Sequence, residues 1–164
     1  MGGKVGLKGT DSQNILQKAI QLGAVPMSSK RTALTIRYIL EKGIAVAWLT
    51  CPGDMGETLL KNLGISHQLT ALNANGFSTQ EDTIAAARQM VSDSVDFFLF
   101  AGGDGTARNI FDAIGEKPKV LGIPTGVKIH SPVFAQSPTK AGELFVQYLN
   151  NQIKEFHLTE VLDL

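Results

Sequence analysis

The chain has 164 residues, 43% of them hydrophobic and 17 of them glycine, enough to bury one sizeable core in a loop-rich α/β domain. Its 15 basic and 15 acidic residues cancel and lie scattered, so no nucleic-acid partner is expected. The single cysteine, Cys51, excludes an internal disulfide framework, and with no leader or spanning apolar run in view the expectation is a cytoplasmic chain with no membrane partner. Ile15, Leu16, Ala19 and Ile20 form a helical stripe, with Asp11 or Ser12 as cap and Gly23 as stop. A second helix is expected over residues 29–42 with Ala33, Ile36, Ile39 and Leu40 on its apolar face. Gly43 ends it before Ile44-Ala45-Val46-Ala47-Trp48-Leu49, a run with strand character. Met55, Leu59, Leu60 and Leu63 give a further helix closed by Gly64, and Asn75-Gly76 reads as a turn. Ser78 with Glu81 predicts a capping box for a helix whose buried positions are Ile84, Ala87 and Val91.

Val95-Asp96-Phe97-Phe98-Leu99-Phe100-Ala101 is nearly unbroken in its apolar character and reads as a buried parallel strand. Behind it, Ala107, Ile110, Phe111 and Ile114 mark a helix packed on the same sheet. Residues 119–123 form a short strand, and Ala141, Leu144, Phe145 and Tyr148 mark the last helix. Strands separated by helices imply an α/β fold: a mostly parallel, Rossmann-like sheet with helices on both faces.

Ligands of such sheets bind outside the carboxyl ends of the strands, which selects the loops at residues 50–56, 102–106 and 124–131. In the second loop, Gly102, Gly103 and Gly105 let the backbone approach a ligand, and the amides of the following helix start, Thr106 included, suit a phosphate. Asp104 would repel bare phosphate, so it is read as holding Mg²⁺ or taking a proton from a substrate hydroxyl, a combination that points to phosphoryl transfer. The plain structural alternative is a tight turn with Asp104 as an N-cap. In the third loop Pro124 fixes the exit and Gly126 permits close approach, while Lys128, His130 and Ser131 supply a charge and hydrogen bonds. Lys128 is either a phosphate partner or a solvated surface lysine, and His130 either orients a substrate oxygen or is structural. Cys51 lacks a nearby base, Asp54 and Glu57 suit a helix start better than a metal, and Arg108 either touches phosphate or faces solvent.

Gly102-Gly103-Asp104-Gly105-Thr106 after an apolar strand resembles the signature shared by NAD kinases, diacylglycerol and sphingosine kinases and, more distantly, phosphofructokinases. Val5-Gly6-Leu7-Lys8-Gly9-Thr10-Asp11, Thr50-Cys51-Pro52-Gly53-Asp54-Met55-Gly56-Glu57, the stretch from Ala101 through Asn109, and Leu121-Gly122-Ile123-Pro124-Thr125-Gly126-Val127-Lys128-Ile129-His130-Ser131 narrow the resemblance to the ATP- or polyphosphate-dependent NAD kinase-like proteins, the branch that includes relatives associated with acetoin catabolism. The resemblance runs along most of the chain. It implies ATP or polyphosphate as donor, Mg²⁺, and NAD as acceptor at the 2′-hydroxyl of its adenosine ribose. It also implies that Asp104 positions or deprotonates that hydroxyl, while Gly102, Gly103, Gly105, Thr106, Pro124, Gly126, Lys128, His130 and Ser131 bind the nucleotide.

Relatives begin with a strand and a turn rich in glycine, whereas this chain opens at Met1-Gly2-Gly3, and at its far end the resemblance implies a crossing into a second, β-rich domain. The expectation is one α/β nucleotide-binding domain over residues 1–164, without the first strand and the C-terminal β-rich domain, and inactive on NAD by itself. Another small-molecule or lipid kinase using the same motif is the first alternative, though no amphipathic membrane-binding stretch supports the lipid version. A non-catalytic nucleotide-binding or regulatory protein is the second. Homo-oligomerisation is left open.

Overall fold

A computed structural model describes residues 17, 18, 20–72, 78–116, 118–126 and 129–161. Asp11, Ser12, Ile15, Leu16, Ala19, the Asn75-Gly76 turn and Lys128 lie outside the described residues. Residues 17, 18, 20 and 21 are helical, and the amide of Gly23 closes the turn onto the carbonyl of Ile20 at 2.9 Å.

In chain order the elements are α1 (Ser28–Glu41), β1 (Leu49–Thr50), a 3₁₀ turn (Gly53–Met55), α2 (Glu57–Asn62), β2 (Gln68–Leu69), α3 (Gln80–Ser92), β3 (Phe98–Gly102), α4 (Asp104–Ile114), β4 (Val120–Pro124) and α5 (Pro138–Leu149). All ladder pairing among the described residues is parallel and falls into two pairs. β1 lies beside β2 with Leu49 opposite Gln68, and β3 lies beside β4 from Phe98 opposite Val120 to Gly102 opposite Pro124.

The period-2 alternation of β3 sends its side chains into two layers, as a strand covered on both faces requires. Phe98 and Phe100 are buried with Ala87 of α3 and with Ala107 and Ile110 of α4. Phe97 and Leu99 pack on the opposite side against Ile36 and Ile39 of α1 and Phe145 and Val146 of α5. Helices therefore cover both faces of the β3–β4 pair.

Several expectations shift in detail. The run over residues 44–49 enters the ladder only at Leu49, because β2 offers two residues to pair with. Its alternation survives nonetheless, with Ile44, Val46 and Trp48 packed on the core while Ala45 and Ala47 face outward. The capping box sits one residue later than expected: Thr79 accepts from the Asp82 amide at 3.3 Å, and Asp82 in turn accepts from the Thr79 amide at 2.8 Å. Leu40, Val91, Phe111 and Leu144 are exposed rather than buried. In α1 the inward place goes to Thr35, whose hydroxyl is satisfied by the carbonyl of Pro138 at 2.7 Å. In α5 it goes to Gly142, where a Cβ would stand 2.9 Å from the Thr35 carbonyl oxygen. Apolar periodicity alone misses these positions, because small or self-satisfying residues let two helix backbones approach closely.

The outer edge of β4 is covered by the chain that follows it. The amide of Gly122 donates to the carbonyl of Val133 at 2.9 Å, that of Ala135 donates to the carbonyl of Gly122 at 3.1 Å, and the Phe134 ring occupies the space a Gly122 side chain would need. This return strap holds the loop after β4 against the sheet.

Candidate functional site

β3 and β4 end side by side, and the first residues beyond them are fastened together. The carbonyl of Gly102 accepts from the amides of both Thr125 and Gly126 at 3.0 Å, and from the Thr125 hydroxyl at 3.4 Å. Gly103 and Gly126 then meet backbone to backbone: a Cβ on Gly126 would lie 3.1 Å from the Gly103 Cα. A side chain on Gly126 would press on the Gly103 backbone and push it back by a few tenths of an ångström, whereas a Cβ on Gly103 would make ordinary contact at 3.7 Å. Gly102 is constrained from within its own loop, since a Cβ there would overlap the Thr106 side chain.

Gly103 is the N-cap of α4, in extended conformation, and no side chain caps the helix. Its carbonyl accepts from the amide of Ala107 at 3.1 Å, so the amides of Asp104, Gly105 and Thr106 form the first turn and have no intrahelical acceptor. Three such donors at the positive end of a helix dipole make a surface suited to an anion.

Asp104 is the first residue of α4 and not its cap. Its carboxylate reaches across to the other loop: Oδ2 accepts from the His130 amide at 2.9 Å and Oδ1 from the Ser131 amide at 3.0 Å. Partial burial opposes ionisation of this carboxyl. The hydroxyl and amide of Ser131, the His130 amide and the His130 charge outweigh that cost and hold it below the usual aspartate value. Asp104 thus behaves as a clamp between the two loops, kept ionised by the bonds it accepts. His130 itself is exposed, whereas Ser131 and Thr125 are buried.

A second brace comes from α1. Arg31 donates through Nη1 to the carbonyls of Thr125 at 3.2 Å and Gly126 at 3.4 Å, and the Ser28 hydroxyl donates to that of Thr125 at 3.2 Å. Ser28 and Arg31 were not singled out from the sequence. Nothing local announces them, because their partners stand 94 to 97 positions away.

The loop at residues 50–56 opens on the same cleft, of about 1690 Å³, as Gly102, Gly103, Asp104, Gly105, Thr106, Thr125 and Gly126. The acid that follows it serves local structure. Glu57 accepts from the Gly53 amide at 2.8 Å and pairs with Lys61 one turn on; those two contacts, Lys61 first, hold its carboxyl below the ordinary value. Cys51 is buried, and desolvation pushes its thiol up against a weaker opposing pull from the Thr70 hydroxyl, the reverse of what a nucleophile needs. His67 bonds the carbonyl of Ile65 at 2.7 Å, and Arg108 is exposed on α4.

Of the residues expected at the site, Gly102, Gly103, Asp104, Gly105 and Thr106 meet Pro124, Gly126, His130 and Ser131 at one junction, while Lys128 lies outside the described residues. Among the described residues no group of three or more His, Cys, Asp or Glu side chains is placed to hold a metal, and no helix is long and apolar enough to cross a membrane. A family model described as the ATP-NAD kinase N-terminal domain matches residues 15–153. Neither the curated proteins nor the solved structures contain a match to the chain.

Proposed function

The chain belongs to the NAD kinase family through its N-terminal domain, and from that premise we propose that it is the nucleotide-binding domain of an ATP-dependent phosphotransferase whose acceptor is the 2′-hydroxyl of the adenosine ribose of NAD, giving NADP. The observation that carries this reading is the junction of the two glycine loops, where the first-turn amides of α4 stand beside the backbone of Gly126. Donor phosphates of ATP, or of polyphosphate, meet amide donors and a helix dipole there without a side chain intervening.

Mg²⁺ fits this donor set. The Asp104 carboxylate accepts the His130 and Ser131 amides and the Ser131 hydroxyl, three of about four lone-pair sites, which leaves one for the ion, and the carboxyl is ionised at neutral pH. With one carboxylate at hand, the ion would take its remaining ligands from phosphate and water, and it would supply neutralisation of phosphate charge.

The residues of this chain have distinct parts in the proposed reaction. Gly102, Gly103, Gly105 and Thr106 bind the donor phosphates, Pro124 and Gly126 shape the opposite wall, and Lys128, His130 and Ser131 serve the loop that closes on the nucleotide. Asp104 fixes that loop and presents negative charge toward the acceptor hydroxyl. The bonds that lower its pKa weaken it as a base, so positioning is the larger part of its contribution. The same engagement of both oxygens favours a second reading, a nucleotide-binding protein without catalysis, over a lipid kinase.

A thermal-shift series with ATP, ADP, NAD, NADP and polyphosphate, each with Mg²⁺, tests the proposal, since a ligand that binds only the folded chain must raise its melting temperature. Stabilisation by ATP–Mg²⁺ that is lost in Gly103→Val is the expected result. Equal, negligible shifts for all five would overturn the nucleotide reading.

A further inference from the structure

The loop between β1 and α2 is built with a firmness that the binding of phosphates leaves unused. Cys51 and Gly56 form a parallel bridge, and the amide of Glu57 donates to the carbonyl of Cys51 at 3.0 Å. Gly56 has a φ of +144° and lies so close to Thr50 that a Cβ would overlap its Oγ1, so glycine is needed there. Thr50 and Cys51 are buried beneath the turn, and Glu57 ties down its near end through the Gly53 amide.

Asp54 is the middle residue of this turn, exposed, and lines the same cleft as Gly103, Asp104, Thr106 and Gly126. Among the described residues it makes no hydrogen bond or ion pair and belongs to no metal-ligating group. The start of α2 does not account for it: Gly56 is the cap and Glu57 the first-turn acid, so Asp54 stands outside the helix. Loops at the carboxyl end of a parallel sheet are where ligands bind. A carboxylate repels phosphate and offers only acceptors, so its partner is a donor on a part of the ligand away from the phosphates. Hydroxyls on neighbouring carbons match its two oxygens, and carboxylates beyond strand ends take ribose hydroxyls in dinucleotide-binding sheets.

We propose that Asp54 binds the vicinal hydroxyls of a nucleotide's ribose, that of ATP or that of NAD, while the glycine junction holds its phosphates. The inference rests on the nucleotide reading and adds to it the residue that tells a nucleotide from bare polyphosphate.

Calorimetric titrations of the full chain, parent and Asp54→Ala, with ATP–Mg²⁺, 2′,3′-dideoxy-ATP–Mg²⁺, NAD and tripolyphosphate–Mg²⁺ test it. Losing the charge-assisted bonds should weaken ATP or NAD by at least about tenfold. A loss with ATP assigns the donor's ribose, and a loss with NAD the acceptor's. Tripolyphosphate should bind as before or more tightly, because a repelling charge has gone, whereas a merely structural role would weaken it too. Dideoxy-ATP, lacking the diol, should not sense the substitution. Asp54→Asn, which keeps the size of the side chain, should rank the ligands in the same order. Unchanged affinity for both ATP and NAD, equal weakening of tripolyphosphate, or equal sensitivity of dideoxy-ATP would overturn the proposal and leave the nucleotide reading standing. A parent chain that binds none of these ligands would overturn both.

Discussion

Replacing Asp104 by Asn tests whether the carboxylate holds the two loops together. The side chain keeps its size, but one of its two acceptors becomes an NH₂ group facing a backbone N–H, so either the His130 or the Ser131 amide loses its partner. Removing one partner of a charge-assisted bond costs about 1.5–3 kcal/mol when the site is dry. Here His130 is exposed and water can replace part of the loss, which brings the expected cost to about 1–2 kcal/mol. For a chain of this length that lowers the melting temperature by about 2–8 °C. The loss depends on pH in a definite direction. The native pKa of Asp104 lies below its unfolded value, so its contribution is fully present above the unfolded pKa of about 3.9 and fades as pH falls through the native one. Thermal melts of parent and variant from pH 7 downward, with hydrogen exchange at the His130 and Ser131 amides, read both effects. A variant melting within about 1 °C of the parent at pH 7, or a gap that does not narrow in acid, would refute the clamp.

Other substitutions probe the supports of the site. Arg31→Ala removes the brace on the Thr125 and Gly126 carbonyls and should weaken ATP–Mg²⁺ binding several-fold in a calorimetric titration, with helix content unchanged by circular dichroism. Gly142→Ala gains about 1 kcal/mol of helix propensity but drives a methyl against the Thr35 carbonyl, an overpacking cost of about 1–3 kcal/mol, so denaturant midpoints should fall. The Cys51 thiol, buried and raised in pKa, should react with a maleimide far more slowly in the native chain than in urea, and rapid native labelling would contradict its burial.

Both the parallel α/β character and the glycine turn were legible in the sequence because they rest on local signals. The apolar run ending at Ala101 followed by three glycines can hardly fold otherwise than as a strand entering a helix, and β3 and α4 meet at Gly103. Loop convergence could also be reasoned out, since carboxyl-end loops of neighbouring parallel strands emerge together. Contacts decided by tertiary geometry stayed hidden. Asp104 reads as a metal or base residue until its reach to the His130 and Ser131 amides is seen. Arg31 and Ser28 look like ordinary helix-start residues until α1 is laid beside the loop after β4. The exposure of Phe111 and the burial of Asn109 in one helix show the limit of apolar periodicity, which cannot foretell which side of a stripe the neighbouring helix covers.

The central claim is that a nucleotide's phosphates bind where the two glycine loops meet. It is tested most directly by titrating the isotopically labelled chain with ATP–Mg²⁺ and following its backbone amides by NMR. Saturable shifts concentrated at Gly103, Gly105, Thr106 and Gly126, and diminished in Gly126→Ala, are the predicted result. Shifts that bypass these four amides while others saturate would contradict it.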